Sequence, residues 1–210
     1  MDGEARASRE VAEAYDQVAE LYIELFGDEE LADPADRDVI VQWAAGCRGP
    51  VLDAGCGPGH WSAALARRGV PVDGIDLSAQ FLMRARRSCP ELTFVQGDLR
   101  CLPYENGSRA GVLAWFSLIH FEEKQLRRAL KEFHRVLAPG GGLLIGFFLQ
   151  GGDEPRSFDH KVSPAWAWSS DWLAQELVSA GFLPIHSEER QATESQREQG
   201  HWSAVRAPGE

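Results

Sequence analysis

No run of the sequence is apolar for long enough to cross a membrane, and its amino end shows no positive segment followed by an apolar one. Neither a bilayer span nor a secretion signal is therefore expected. Basic residues are in the minority: 21 Lys plus Arg stand against 32 Asp plus Glu, a formal charge of -11. Such a field repels a phosphate backbone, so neither a nucleic-acid nor a membrane partner is expected. The densest basic group, Arg84, Arg86 and Arg87, reads equally well as the solvated face of a helix. Cysteine is scarce, and Cys47, Cys56, Cys89 and Cys101 show no metal-binding or redox spacing. No metal site is expected, and reduced thiols in a cytoplasmic protein are. There is no internal repeat, and 210 residues with 44% hydrophobic composition suffice for one domain with a small cap.

Residues 1–7 are expected to be loose. Val11, Tyr15, Val18, Tyr22 and Leu25 then recur at intervals of four and three, placing them on one helical face. Asp33-Pro34 opens a second helix reaching Cys47, with Val39, Ile40, Trp43 and Ala44 as its apolar stripe. From there strand and helix signals alternate: strand 51–55, helix 60–69, strand 71–76, helix 78–88, strand 92–96, strand 110–116, helix 122–137 and strand 142–149. That order predicts an α/β fold with a mostly parallel sheet covered on both faces. The pattern lapses over residues 151–169, and Ser169 or Ser170 then caps a helix carrying Trp172, Leu173, Leu177 and Val178 that Gly181 ends. FLPIHSEE and HWSAVRAP close the chain as an antiparallel hairpin at a sheet edge. The expected division is a helical cap at 8–46, a core at 47–150, a lid at 151–169 and a helix plus hairpin at 170–210.

The sharpest local signal is VLDAGCGPGHW, a strand delivering the chain to Gly55, Gly57 and Gly59 before a helix begins. Glycines at the carboxyl end of a parallel strand let a ligand approach the backbone. A dinucleotide fingerprint wants its third glycine one place later, where His60 stands. Asp53 precedes the glycines and suits an ammonium or sulfonium better than a pyrophosphate. Asp76 ends the second strand, where it can accept from both hydroxyls of a ribose, and Asp98 follows the third, where it can accept from an adenine amino group.

With these residues the chain resembles the class I S-adenosylmethionine-dependent methyltransferases, in the large group acting mostly on small molecules. Four blocks carry the resemblance: VLDAGCGPG at 51–59, VDGIDLS at 72–78, FVQGDLRCLPY at 94–104 and LKEFHRVLAPGGGLLIGFF at 130–148. It implies a Rossmann-like, seven-stranded sheet in the order 3-2-1-4-5-7-6 with strand 7 antiparallel and helices on both faces. It implies S-adenosyl-L-methionine as cofactor and S-adenosyl-L-homocysteine as product. Asp53 would hold the methionine amino group, and Gly55, Cys56, Gly57 and Gly59 would line the turn. Asp76 would clasp the ribose, Leu77 would pack on the adenine, and Asp98 with the Leu99 amide would read its edge. Phe116 and Ser117 would lie near the methyl group, PGGG at 139–142 would be a turn, and Tyr15 would close over the methionine end. Packing alone is the alternative for Tyr15. Many relatives carry an aromatic-aspartate pair where this chain has Arg109-Ala110, which bears on edge packing.

A sulfonium activates its own methyl group, so the protein chiefly aligns and shelters it. If the acceptor must lose a proton, His120 is the first candidate base, and Tyr15 is the other residue given a catalytic role; the alternative for His120 is a packed histidine orienting a loop. His60 and His134 read as structural, His160 as a weaker rival base, and His186 and His201 as pointing away from the cleft. Phe158, Trp166 and Trp168 in the long connection suggest a pocket for a flat or apolar small molecule, or a lid packed on itself. Three other readings stand beside small-molecule methyl transfer: a non-catalytic cofactor binder, a protein or nucleic-acid methyltransferase, and an NAD-dependent oxidoreductase. The sequence leaves monomer and homodimer open.

Overall fold

The computed structural model describes residues 2–193 and 196–208. The chain opens with α1 (Asp2–Gln17), α2 (Ala19–Phe26) and α3 (Pro34–Ala45), then runs β1 (Val51–Ala54), α4 (His60–Arg67), β2 (Val72–Asp76), α5 (Ala79–Ser88), β3 (Thr93–Gln96), β4 (Arg109–Trp115), α6 (Glu123–Val136) and β5 (Leu137–Leu149). It closes with β6 (Arg156–Phe158), β7 (Ala165–Trp168), α7 (Ser170–Ser179), β8 (Phe182–Arg190) and β9 (Gln199–Arg206).

Strands β3, β2, β1, β4 and β5 pair in that order, all parallel. The outer edge of β5 is shared. Residues Gly142–Phe148 pair antiparallel with β9, which pairs antiparallel with β8. At its end, Phe148 and Leu149 pair with β7, whose other partner is β6, so the sheet also reads β3-β2-β1-β4-β5-β7-β6. The expected order is thus realised, with β8 and β9 as strands six and seven of the seven anticipated and β9 antiparallel. The ribbon β6–β7 is an addition, because residues 151–169 are not the structureless connection expected.

Three further expectations are corrected. The first helix begins at Asp2, not at residue 8, and it breaks at Val18, whose φ of -109° and ψ of 11° lie outside the helical region. PGGG is taken into β5 as a bulge: Leu137 pairs with Arg109 and Gly142 with Gly111, so five steps on one strand oppose two on the other. Val178 is 60% exposed rather than packed, whereas Leu173 and Leu177 are buried.

The core lies on both faces of the sheet, as the period of two in a strand requires. Leu52, Ala54, Val112 and Ala114 face α6 and α7, while Val51 and Leu113 face α3 and α4 with Ile40, Trp61 and Leu65. Asp33 caps α3 by accepting from the Ala35 amide at 2.9 Å, with Pro34 in the first turn. Arg109, in place of the aromatic-aspartate pair, fastens β4 to β2 through Asp73 at 2.7 Å and lies 4.1 Å above the Tyr104 ring. All four cysteines are free thiols.

Candidate functional site

The carboxyl ends of β1, β2 and β4 converge on a cavity of about 140 Å³ roofed by α1 and α2. Its floor is the glycine turn. At Gly55, φ is +79°, and a Cβ there would stand 2.2 Å from Ser117 Cβ, so only glycine lets the two turns meet. Gly57 lines the same wall and donates its amide to Asp76 Oδ2 at 2.9 Å.

Asp76, the last residue of β2, also accepts from the Ser78 amide through Oδ1 at 2.8 Å. Burial raises its pKa, an effect these amides oppose. Ser78 in turn caps α5 and donates through Oγ to Asp16 of α1 at 2.5 Å, pinning the roof to the sheet. Leu77 and Leu99 line the cavity with Gly97 and Phe81.

Asp53 is not on the cavity wall. It lies beneath the turn, 2% exposed, accepting from Ser62 Oγ at 2.6 Å, and burial pushes its pKa up to about 7. Cys56 is buried with its thiol well above the usual value, chiefly through burial. Gly59 is the N-cap of α4, in left-handed conformation at φ +85°. Asp98 also stays off the wall, because Arg100 holds it: the amide and Nε both donate to Oδ1 at 2.9 Å, and Nη2 pairs with Oδ2 at 2.5 Å. Burial would raise the Asp98 pKa, but these bonds outweigh it and hold the carboxyl below its ordinary value. Arg100 also reaches Ser8 of α1.

At the other end of the cavity, Tyr15 Oη lies 2.9 Å from His120 Nε2, and His120 Nδ1 lies 2.8 Å from the Pro164 carbonyl oxygen. A carbonyl only accepts, so the Nδ1 carries the proton and Nε2 is left to accept from the Tyr15 hydroxyl. Burial lowers the His120 pKa and keeps the ring neutral near pH 7; it also drives the Tyr15 phenol far above its usual value. Tyr15, Tyr22 and Phe81 form an aromatic cluster with centroids 5.0 to 5.8 Å apart, so Tyr15 both packs and hydrogen-bonds. The Tyr22 phenol is pushed up to about 12, by burial first and by Asp76 second.

Phe116, just past the end of β4, has φ +52°, the one non-glycine residue at positive φ among the described residues, and it lines the cavity. A strained backbone at a strand end is a common feature of binding sites. Next to it the Ser117 hydroxyl is buried with no hydrogen-bond partner among the described residues. Such a group costs stability unless a ligand supplies its bond.

Of the aromatics expected in the lid, Phe158 meets Phe148 edge to face at 5.4 Å and stands 6.2 Å from His160, whose ring is 5.6 Å from His120. Trp166 is half-buried, and its amide donates to the Ile119 carbonyl at 2.7 Å. Trp168 is corrected to a core residue: it is fully buried, near Phe147 and stacked with Trp172. In β7, Trp168 lies two residues from Trp166, and no local pattern distinguishes a core-facing tryptophan from a cleft-facing one in a strand unforeseen by sequence. Phe81, Trp115 and Gln125 also line the cavity and were missed. Phe81 was detectable, three residues after the Ser78 cap and hence on the inward side of the first turn of α5.

Residues 51–141 match the family model described as "Methyltransferase domain". The chain's fold and the motifs at the ends of β1 and β2 agree with that match. Among curated proteins it is similar to the malonyl-[acyl-carrier protein] O-methyltransferase of Erwinia billingiae, with 33% identity over 163 residues, 74% of this chain and 58% of that protein. The chain spans only about 37–58% of the length of the first curated relatives it matches. Among solved structures it is similar to the [4+2]-cyclase SpnF, at 20% identity and a TM-score of 0.79 over 95% of this chain and 96% of that one. It is also similar to the Burkholderia thailandensis 1,6-didemethyltoxoflavin-N1-methyltransferase with bound 1,6-didemethyltoxoflavin and S-adenosylhomocysteine, at 22% identity and a TM-score of 0.75 over 95% and 90% of the two chains. These structural likenesses establish the fold. No helix among the described residues is long and apolar enough to cross a membrane.

Proposed function

We propose that this chain transfers a methyl group from S-adenosyl-L-methionine to a small molecule, releasing S-adenosyl-L-homocysteine. The observation that carries this reading is the placement of Asp76, the Gly55–Ser117 contact and the Tyr15–His120 pair around one cavity. The donor set suits the cofactor. Asp76 would accept from the ribose hydroxyls, Leu77 and Leu99 would flank the adenine, and the unpartnered Ser117 hydroxyl would gain a bond at the methionine end. Asp53, behind the turn, would act on the amino group through the intervening backbone or a water.

When bound, the cofactor supplies an electrophilic methyl on its sulfonium, and the remaining work falls to the chain. Tyr15 and Phe116 would exclude water from the reacting end. An acceptor hydroxyl or amine seated against Tyr15 Oη would pass its proton to that oxygen as Tyr15 passes its own to His120 Nε2. The Pro164 carbonyl, accepting from Nδ1, would steady the imidazolium so formed. Phe158 and His160 stand off the cavity wall behind His120 and would meet an acceptor that reaches past it, which suits a flat, partly apolar molecule. The charge of -11 supports a small acceptor over nucleic acid.

Small-molecule pockets usually enclose roughly 300–1,000 Å³, so this cavity is closed tighter than its ligand requires. The roof residues Ser8, Val11, Ala12, Tyr15 and Tyr22 supply that closure, and admission of the cofactor would lift α1. Fold does not choose the reaction, as the cyclase likeness illustrates.

The test is a calorimetric titration with S-adenosylhomocysteine and, separately, NAD, on the wild type and on Asp76→Ala. Saturable adenosylhomocysteine binding that the substitution weakens, with no NAD binding, is expected. Absence of adenosylhomocysteine binding, or binding of NAD in its place, overturns the proposal. With an acceptor found by screening flat apolar hydroxyl and amino compounds, His120→Ala should lower kcat on the order of 100-fold while leaving adenosylhomocysteine affinity nearly unchanged.

A further inference from the structure

The β8–β9 hairpin carries a cluster unrelated to the cofactor cavity. His186 and Glu188 on β8 and His201 on β9 each offer a ligating atom, and these three atoms lie within 4.8 Å of one another. We infer that this His-Glu-His cluster is a binding site for one zinc-class divalent cation that staples β8 to β9.

The backbone explains how the three side chains come together. Glu188 sits directly opposite His201, and His186 is two residues before Glu188, so all three share one face. Pro184 pairs with Ala204 but His186 pairs with Ser203, so Ile185 is an extra residue that shifts the register. Had the register of Pro184 with Ala204 continued without that bulge, His186 and Glu188 would both fall on the face opposite His201; re-aiming side chains is what such bulges do.

The chemistry of the set is that of a borderline cation. Two imidazoles and one carboxylate favour zinc over magnesium or calcium, which demand oxygen ligands. Zinc–nitrogen and zinc–oxygen bonds of about 2.0–2.2 Å put tetrahedral ligands roughly 3.3–3.5 Å apart. Closing from 4.8 Å is within reach of side-chain rotation, because His186 and Glu188 are exposed. His201 is 4% exposed, with its ring 6.0 Å from that of Trp115, giving the site one fixed ligand and two mobile ones. Arg190, two residues after Glu188, is balanced by Asp33 at 3.2 Å and by Asp36. With His186 and Glu188 exposed, a fourth ligand would come from water.

The test is titration of tag-free, metal-stripped full-length protein with zinc chloride by calorimetry, then with cobalt chloride by absorption. One equivalent of zinc is expected to bind, with His186→Ala and Glu188→Gln each weakening it about tenfold or more. His186 and Glu188 are exposed, so those variants should fold even where His201→Ala does not. Cobalt should give weak d–d bands of a nitrogen and oxygen site, and magnesium chloride no binding heat. Absence of saturable zinc uptake, uptake unchanged in both exposed-residue variants, or an intense sulfur-to-cobalt charge-transfer band from cysteine ligation would overturn the inference.

Discussion

The ends of β2 and β3 begin alike and finish differently. Asp76 and Asp98 each accept through Oδ1 from the backbone amide two residues on, at 2.8 and 2.9 Å, making the same small turn. The second oxygen separates them. On Asp76 it accepts from Gly57 in the glycine turn and the residue opens on the cavity, whereas on Asp98 it is paired with the guanidinium of Arg100. Burial therefore leaves the Asp76 pKa raised, while Arg100 brings that of Asp98 below normal. A carboxylate facing neutral amides retains lone pairs for ribose hydroxyls. One already satisfied by a cation gains little from an adenine amino group.

The largest expected effect follows directly. Asp76→Ala should weaken adenosylhomocysteine binding on the order of 100-fold, about 2.7 kcal/mol, and Asp98→Asn should weaken it less than about tenfold, both by calorimetry. Equal losses would mean that Arg100 releases Asp98 when ligand binds, and the contrast between the strand ends would hold only for the empty cavity. A smaller effect sharpens the same point. Arg100→Gln frees Asp98 to accept from the adenine edge, so affinity should rise by about threefold or more, and Asp98→Asn in that background should remove the gain. A loss of affinity in Arg100→Gln would assign the guanidinium itself to the ligand.

This pair of aspartates also marks how far the sequence is legible. The α/β order, the glycine turn and the placement of Asp76 follow from patterns local to a strand and the turn after it, where backbone geometry admits few residues. The partner of Asp98 stands two residues on in GDLR and could have been noticed, but its second contact, Ser8, lies 92 residues earlier and no local pattern reports it. The ribbon of β6 and β7 escaped for a similar reason. Its strands of three and four residues are too short to show a period, and pairing with the end of β5 defines them. Trp168 went with them, its burial decided by Phe147 and Trp172 rather than by neighbours in sequence. His186 and His201 are not among the residues lining the cavity, and the bulge at Ile185 that brings His186 and Glu188 to the face of His201 has no glycine to announce it.

Asp53 is the third carboxylate of the set and gives the cleanest comparison. It is off the cavity wall with no ion pair among the described residues, accepting from the hydroxyl and backbone of Ser62, and burial takes its pKa to about 7 against about 3.9 in an unfolded chain. Between those values the folded protein holds a proton that the unfolded chain has lost, so stability falls as pH rises from about 4 to about 7 and is flat beyond. Asp53→Asn removes that dependence. Its Tm should match the wild type near pH 4 and exceed it at pH 8 by on the order of ten degrees, since the displacement from about 3.9 to about 7 is worth about 4 kcal/mol and each 1 kcal/mol moves Tm by roughly 2–4 °C in a domain of this size. Saturating adenosylhomocysteine should narrow the gap, because an amino group near the turn favours the ionised aspartate and the asparagine cannot reciprocate. If Asp53→Asn were instead less stable at pH 8 without ligand, Asp53 would be ionised in the empty protein, and all three strand-end carboxylates would share one charge state.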